Sequence, residues 1–210
     1  MRVLAIVFAM LFFISSSIVT PIKLREEENI EVHLWFHIIQ FDETQTVSIK
    51  MIYDQMNILN NSVDRAFVFI LDGIDRTINP KWFNVGPDSK LDGEMRLALN
   101  KDGMKVIDVY LVNDLGLFRI YGDRIPFPIP ILGYTYLPAF SQFEPYLDGS
   151  VVFGQALPGG SLGKSGTVLA HEIGHSLGLS DTYEASDYCT DIMYATSSDN
   201  DCLRFSKREV

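Results

Sequence analysis

The sequence predicts an α/β (α+β) domain in which helices cover a twisted, mixed and mostly parallel β-sheet. Hydrophobic, strand-like segments alternate along the chain with segments of helical periodicity, and parallel strands need connections of helical length. The 47% hydrophobic content argues for a buried core rather than a disordered chain. No internal repeat or second domain boundary is visible in the sequence, so residues 29–210 are predicted to form one domain.

The first half of this domain is predicted to contain three strands and two helical segments. Residues 31–40, 66–71 and 106–112 are rich in β-branched and aromatic side chains, which is typical of buried strands. Asp72-Gly73 is expected to end the second strand. Residues 44–60 show helical spacing, and residues 91–99 include a helical turn. The apolar positions expected to pack the first helix into the core are Val47, Met51, Ile52, Met56 and Leu59.

Shorter elements separated by glycine and proline loops are predicted in the second half. Residues 125–131 carry three prolines at alternate positions and are expected to form a loop. Residues 133–137 alternate small and aromatic side chains, as an edge strand does, and residues 150–153 form another short strand. A loop at 157–160 precedes a helix over 167–177, with Ser165 as its N-cap. A short, irregular C-terminal subdomain is expected beyond Gly178.

The N-terminus has the features of a secretory signal peptide. Arg2 is followed by an apolar run over residues 3–14 and by three serines. We expect residues 1–20 to be the signal peptide and residues 21–28 to be a flexible start of the mature, extracellular chain; an uncleaved N-terminal anchor is the alternative. The net charge of −10 disfavours nucleic acid and anionic membranes as partners.

Residues 171–181 carry the most specific pattern in the chain, His-Glu-Ile-Gly-His-Ser-Leu-Gly-Leu-Ser-Asp. His171 and His175 share one helix face, so both imidazoles can reach one metal ion at about 2.0–2.1 Å. Glu172 lies beside that face, where its carboxylate is able to take a proton from a water molecule at the metal. Gly178 lets the chain turn and bring back Asp181 as a third ligand. The pattern predicts a hydrolytic zinc site; a surface helix with two solvated histidines is the alternative.

This motif, followed by Asp-Ile-Met-Tyr at residues 191–194, resembles the signature of the metzincin zinc metallopeptidases. In that family a Met lies beneath the zinc, and Met193 occupies the matching position; an ordinary core Met is the alternative. Residues 133–138, 148–152, 157–160, 167–175 and 178–179 also resemble segments of the pappalysin family. The resemblance implies a zincin catalytic domain and a secreted zinc endopeptidase that acts on proteins or peptides. Its implied zinc ligands are His171, His175 and Asp181, and its implied general base is Glu172.

The resemblance also implies a substrate-binding edge and a disulfide. In related enzymes an extended peptide pairs antiparallel with the edge strand, which here comprises Gly133, Tyr134, Thr135 and Tyr136. Cys189 and Cys202 match a disulfide that brackets the Met-turn. An even pair of cysteines in an exported chain also favours a disulfide, with two free thiols as the alternative.

Two departures from the pappalysin pattern leave a second function open. The third ligand is usually His in pappalysins, whereas Asp181 has the residue type of the snapalysins, and a carboxylate leaves the metal less positive. The relatives also carry a Tyr two residues after the Met that can assist the oxyanion, but Ala195 occupies that position here, and Tyr194 directly follows the Met. The alternative is a secreted zinc-binding protein with lost or very weak catalysis that acts through binding.

Three other features of the sequence have residue types that occur in binding or modification sites. His33 and His37 share a face of the first strand without an Asp, Glu or Cys at matching spacing on that strand, so structural or surface histidines are expected. The acidic residues from Asp181 onward resemble a region where pappalysin-like enzymes often bind Ca²⁺, but no EF-hand spacing is present, and a solvated acidic loop is the alternative. Asn60 begins a glycosylation sequon that only a eukaryotic secretory route would use.

Overall fold

The computed structural model describes residues 29–44, 46–62, 67–101, 105–113, 117–118, 129–162 and 166–181. Within these ranges the strands are β1 (Ile30–Gln40), β2 (Phe67–Ile78), β3 (Ile107–Val112), β4 (Leu117–Phe118), β5 (Ile129–Pro130), β6 (Gly133–Thr135) and β7 (Ser150–Phe153). The helices are α1 (Ile49–Ser62), α2 (Lys90–Leu99), α3 (Pro138–Ser141) and α4 (Thr167–Ser176), with 3₁₀ turns at Pro145–Leu147 and Gly154–Ala156.

The main sheet has five strands in the order β2-β1-β3-β7-β6. The first four strands of that order pair in parallel, and β6 pairs antiparallel with β7. This arrangement confirms the predicted mixed, mostly parallel sheet. α1 connects β1 to β2, and α2 lies in the connection between β2 and β3, so the parallel pairs of β1 with β2 and with β3 have the long connections they need. β4 and β5 form a separate antiparallel pair.

Apolar side chains cover both faces of the main sheet. Successive side chains of β1 point to opposite faces, so Leu34 and Phe36 enter a core shared with α1 and α4, whereas Ile39 enters a second core shared with α2. The apolar positions predicted to pack the first helical segment are all buried in the first core: Val47, which precedes α1, and Met51, Ile52, Met56 and Leu59 within it. α4 contributes Leu169, Ala170 and Ile173 to the same core, which fixes it against the sheet beside α1.

β2 is longer than predicted, because Asp72-Gly73 is not its end. The strand continues to Ile78, and its register against β1 shifts between Leu34 and Trp35, so that Leu34 pairs with Leu71 and Trp35 pairs with Gly73. Asp72 is therefore the extra residue of a β-bulge. A Cβ on Gly73 would lie 2.6 Å from the Trp35 ring, so the glycine admits the indole rather than ending the strand.

Other boundaries also differ from those predicted. α1 begins at Ile49 instead of residue 44, because the Ser48 hydroxyl accepts a hydrogen bond from the Met51 amide and so caps the helix there. α4 is capped by Gly166, with a φ of 83°, instead of Ser165, which is outside the described residues. The predicted loop at 125–131 contains the two residues of β5, which pair with β4.

Several predictions concern parts of the chain that lie outside the described residues: the signal peptide, residues 21–28, Cys189, Met193, Tyr194, Ala195 and Cys202. Within the described residues, none of the helices combines the length and the apolarity that a membrane crossing requires.

Candidate metal centre

α4 carries two histidines on the side that does not enter the core. Its apolar residues Leu169, Ala170 and Ile173 are buried, while the side chains of His171 and His175 are 18% and 15% exposed. The four-residue spacing places the two rings side by side, with their centroids 4.6 Å apart. The burial of the opposite face therefore determines where both imidazoles lie.

A glycine turn ends α4 and returns the chain toward the histidines. Gly178 has a φ of 91°, a left-handed conformation that costs glycine little. Its amide donates to the His175 carbonyl oxygen at 2.9 Å, and the Leu179 amide donates to the Gly174 carbonyl oxygen at 2.9 Å. Asp181 follows three residues after this glycine, as predicted.

The structure brings the three predicted ligands together. His171 Nε2 and His175 Nε2 are 3.1 Å apart, and Asp181 Oδ1 lies 3.3 Å from the first and 3.5 Å from the second. Three donors of a tetrahedral ion with bonds of about 2.0–2.1 Å stand about 3.4 Å apart. The donor triangle therefore fits a zinc-sized ion without rearrangement. Among the described residues it is the one group of three or more His, Cys, Asp or Glu side chains with this proximity.

A backbone carbonyl on the side away from the donor triangle orients the His175 ring. Its Nδ1 lies 2.9 Å from the Leu179 carbonyl oxygen, which can only accept a hydrogen bond. The proton of the neutral ring is therefore on Nδ1, and Nε2 keeps its lone pair for a metal. The same glycine turn that brings back Asp181 thus supplies the carbonyl that selects this tautomer.

Glu172 is buried between α4 and the edge of the sheet. The Thr135 hydroxyl lies 2.9 Å from Glu172 Oε2, and a Cβ on Gly133 would lie 2.7 Å from Glu172 Cγ. In the chain without a metal ion, burial raises the pKa of Glu172 to about 8; the Thr135 hydrogen bond lowers it, and the negative charge of Asp181 raises it. A dication at the donor triangle would lower this pKa, because it favours a neighbouring carboxylate.

The predicted edge strand is confirmed by β6, although it ends at Thr135 instead of residue 137. Gly133 and Thr135 face Glu172, and Tyr134 packs on the opposite face in the core shared with α2. The Tyr136 hydroxyl, just beyond the strand, hydrogen-bonds Asp88 and Asp92. The two faces of this edge therefore contact different helices.

The remaining histidines have carboxylate partners on neighbouring strands. His33 Nδ1 lies 2.8 Å from Asp72 Oδ1, on β2. His37 is fully buried, with Nδ1 2.9 Å from Asp75 on β2 and Nε2 2.9 Å from Asp108 on β3. These contacts agree with the predicted structural roles. The sequence of β1 alone does not identify these three carboxylates, because residues of adjacent strands are distant in sequence.

The predicted glycosylation residue also has a structural contact. The Asn60 side chain accepts from the Phe69 amide at 2.8 Å and donates to the Phe69 carbonyl oxygen at 3.0 Å. It therefore ties α1 to β2, and its glycosylation stays a prediction.

The contact of Thr135 with Glu172 is not visible in the sequence, which indicates only that Thr135 belongs to the edge strand. The contact depends on how β6 and α4 pack, and the two residues are 37 positions apart. The alternation of Gly133 and Thr135 on one strand face was the available signal, but it does not identify the opposing side chain.

The fold is metzincin-like, and α4 together with the turn that follows it brings His171, His175 and Asp181 within reach of one ion. The chain is similar to mirolysin from Tannerella forsythia, solved in its mature form with a cleaved peptide, with a TM-score of 0.54 and 20% identity over 82% of this chain and 70% of that one. A second mirolysin structure, in complex with a compound, gives a TM-score of 0.55 at 21% identity, covering 72% of this chain and 64% of the other.

In sequence, the chain is similar to secreted fungal proteins. It is 30% identical over 190 residues to extracellular metalloprotease 1 of Coccidioides posadasii, covering 82% of this chain and 62% of that protein. It is 32% identical over 181 residues to an extracellular metalloprotease of Verticillium alfalfae, covering 80% of this chain and 56% of that protein. The chain thus spans less than two thirds of the length of these relatives. No family model matches it.

Proposed function

We propose that the chain is a secreted zinc endopeptidase of the pappalysin type, with His171, His175 and Asp181 as zinc ligands and Glu172 as general base. The observation that carries this proposal is the donor triangle, whose sides of 3.1, 3.3 and 3.5 Å match a tetrahedral zinc site. The sequence similarity of the chain to extracellular metalloproteases supports both the peptidase reaction and the secreted location.

In the proposed reaction the zinc ion supplies the electrophile and Glu172 carries out the proton transfers. Zn²⁺ bound by the three ligands would polarise the scissile carbonyl and activate the attacking water. Glu172 takes the proton of that water and delivers it to the leaving amine nitrogen. Burial of Glu172 excludes bulk water from this transfer, so its charge acts in a medium of low dielectric constant.

The proposed substrate is an extended protein or peptide segment that pairs with β6. Within the described residues β6 pairs only with β7, so the backbone groups along its other side are available for β-augmentation. Gly133 and Thr135 lie against Glu172, so a segment paired there would pass close to the general base. Met193 as the floor of the zinc site, the disulfide between Cys189 and Cys202, and a calcium site belong to the same proposal.

The test combines metal analysis with a cleavage assay on the mature protein. We expect one Zn²⁺ per chain and cleavage of a denatured protein or a diverse peptide pool. Glu172→Ala should keep the zinc and lose at least about 100-fold in kcat, because it removes the general base. Glu94→Ala, which changes an exposed glutamate of α2, is the matched control and should leave kcat unchanged.

Two other results of the zinc analysis and the cleavage assay would contradict this proposal. Cleavage that survives Glu172→Ala would exclude the general-base mechanism. Stoichiometric zinc without cleavage by the wild-type protein would favour the second candidate, a zinc-binding protein that acts through binding. The acidic third ligand, Asp181, is the observation that favours this alternative, because its charge reduces the electrophilicity of the ion.

A further inference from the structure

The edge strand holds the side chain of Glu172 by one oxygen. Thr135 Oγ1 lies 2.9 Å from Glu172 Oε2 and 3.1 Å from the Glu172 backbone carbonyl oxygen. The hydroxyl has one proton, and a carboxylate oxygen is a stronger acceptor than a carbonyl that already serves a helix. Thr135 therefore donates to Oε2 when Glu172 is ionised.

The Thr135 hydroxyl is itself part of a chain of hydrogen-bonded hydroxyls that continues to Ser150 and Ser176. Ser150 Oγ on β7 lies 2.8 Å from Thr135 Oγ1 and 3.1 Å from Ser176 Oγ at the end of α4. When Thr135 donates to Glu172, its oxygen accepts from Ser150, which in turn can accept from Ser176. Hydrogen bonds aligned in this way strengthen one another, and Ser150 is fully buried, so these hydroxyls depend on one another for hydrogen-bond partners.

The other carboxylate oxygen has a different environment. Glu172 Oε1 lies 2.9 Å from the position that a Cβ on Gly133 would occupy, so it rests above the bare Cα of the edge strand. Among the described residues no hydrogen bond to Oε1 is formed, in contrast to Oε2. The two oxygens thus have separate roles, one held by the protein and one available for a proton.

We propose that Thr135 is a positioning residue that fixes Oε2 of Glu172 and thereby directs Oε1 toward the attacking water. This inference rests on the proposed peptidase function. A glutamate has three rotatable side-chain bonds, and a general base works only within hydrogen-bond reach of the proton that it abstracts. A hydroxyl at 2.9 Å selects the productive orientation before substrate binds.

The experiment replaces the hydroxyl while keeping the shape of the side chain. In the zinc-loaded protein, Thr135→Val should reduce kcat about tenfold or more with KM within about twofold, because the hydrogen bond orients the base and does not contact the substrate. Thr135→Ser should restore kcat to within about threefold of wild type. Thr77→Val makes the same chemical change on β2, at the other edge of the sheet, and should leave kcat and KM unchanged.

A second readout does not depend on catalysis. A double-mutant cycle of Thr135→Val and Glu172→Ala, measured by chemical unfolding of the zinc-loaded and chelator-treated protein, isolates the interaction between the two side chains, because each single variant removes one partner of the hydrogen bond. The unfolding constant of the double variant should differ about fivefold or more from the value that the single variants predict. If Thr135→Val does not fold, Thr135→Ala removes the same hydroxyl and enters the same measurements.

The outcomes separate this inference from the proposed function. An active wild-type protein in which Thr135→Val retains full kcat, or in which Thr135→Ser loses as much as Thr135→Val, overturns the positioning role and leaves the peptidase proposal intact. An additive double-mutant cycle overturns the hydrogen bond itself. An inactive wild-type protein with a measurable coupling overturns the peptidase proposal and the positioning role, while the contact stands.

Discussion

The Nε2 atom of His175 lies 3.1 Å from the Nε2 atom of His171, with Asp181 Oδ1 within 3.5 Å of both. The Leu179 carbonyl places the His175 proton on the far side of its ring, so the lone pair of that ring points at its neighbours. Lone pairs and a negative oxygen at these distances repel one another unless a cation or a proton lies between them. This relationship makes metal binding and stability interdependent.

We therefore expect zinc to stabilise the folded protein. At a free zinc concentration 100 times the dissociation constant, the gain is about 2.7 kcal/mol if the unfolded chain does not bind the metal. His175→Ala should abolish this gain. Thermal unfolding with zinc and with chelator measures both effects, and an equal response of His175→Ala and wild type to zinc would contradict the proposed ligand set.

Replacement of Asp181 tests how the third ligand affects reactivity. Asp181→His should keep one zinc per chain and increase kcat, because a neutral ligand leaves the ion more positive and the activated water more acidic. Asp181→Ala should weaken zinc binding by about 100-fold. Metal titration and peptide cleavage give the two numbers; a lower kcat in Asp181→His with full zinc occupancy would show that geometry outweighs charge.

Gly133→Ala should disturb Glu172 directly. The new Cβ would lie 2.7 Å from Glu172 Cγ, so the carboxylate must move, and we expect a destabilisation of about 1–3 kcal/mol together with a lower kcat. Gly93→Ala in α2 is the matched control, because no atom lies within 4 Å of its added Cβ. That control should stabilise the protein by about 0.5–1 kcal/mol, as alanine does in a helix interior. Equal effects of the two substitutions would contradict the close contact.

The elements with a strong hydrophobic pattern were predictable from the sequence. β1, β3 and α1 bury long apolar runs or a clear helical stripe, so their type follows from periodicity. The mostly parallel pairing of the strands also followed, because the alternation of strand and helix favours a parallel sheet. The proximity of the three proposed zinc ligands was predictable for a related reason: α4 and its glycine turn keep all three within eleven residues.

Contacts between distant segments were not predictable. Asp72-Gly73 was expected to end β2, because a glycine after an aspartate is typical of a turn. Gly73 instead leaves room for the Trp35 ring of the neighbouring strand, and this is a tertiary contact. The partners of His37 lie on two other strands, and Thr135 meets Glu172 only where β6 packs on α4. A single sequence contains no local signal for such pairs.

The raised pKa of Glu172 predicts how pH affects the metal-free protein. The pKa of this carboxyl is about 8 in the folded chain and near the ordinary 4.5 in the unfolded chain. The folded protein therefore has its full stability below pH 4.5, and part of that stability is lost as the pH rises to 8 and the buried carboxyl ionises. In chelator, Glu172→Gln should therefore match wild type at pH 5 and exceed it at pH 9, by at most about 5 kcal/mol. Chemical unfolding across this range measures the difference, which zinc should reduce. Parallel stability curves for both proteins would argue against a raised pKa of Glu172 in the folded, metal-free chain.

Asp75 should give the opposite pH dependence. Burial alone would raise the pKa of this carboxyl, but hydrogen bonds from Lys101, His37 and Trp35 outweigh it and hold the pKa below its ordinary value. The lowered pKa means that the stabilisation is present above about pH 4, the unfolded value, and is lost as the pH falls through the folded value. Asp75→Asn should thus cost about 1–2 kcal/mol at pH 7, a figure kept small because the side chain is partly exposed, and much less at pH 3.

The surface pair of Lys50 and Asp54 provides the control for Asp75. Asp54→Asn removes a carboxylate from an exposed i,i+4 ion pair, which is worth less than about 0.5 kcal/mol. The difference between the two substitutions at pH 7 therefore measures what the three donors around Asp75 add beyond a simple ion pair. Because His37 also contacts Asp108, the Asp75→Asn protein keeps one carboxylate against the buried ring and should remain folded. Equal losses for Asp75→Asn and Asp54→Asn, or a loss for Asp75→Asn that does not shrink in acid, would show that this carboxylate network does not stabilise the sheet.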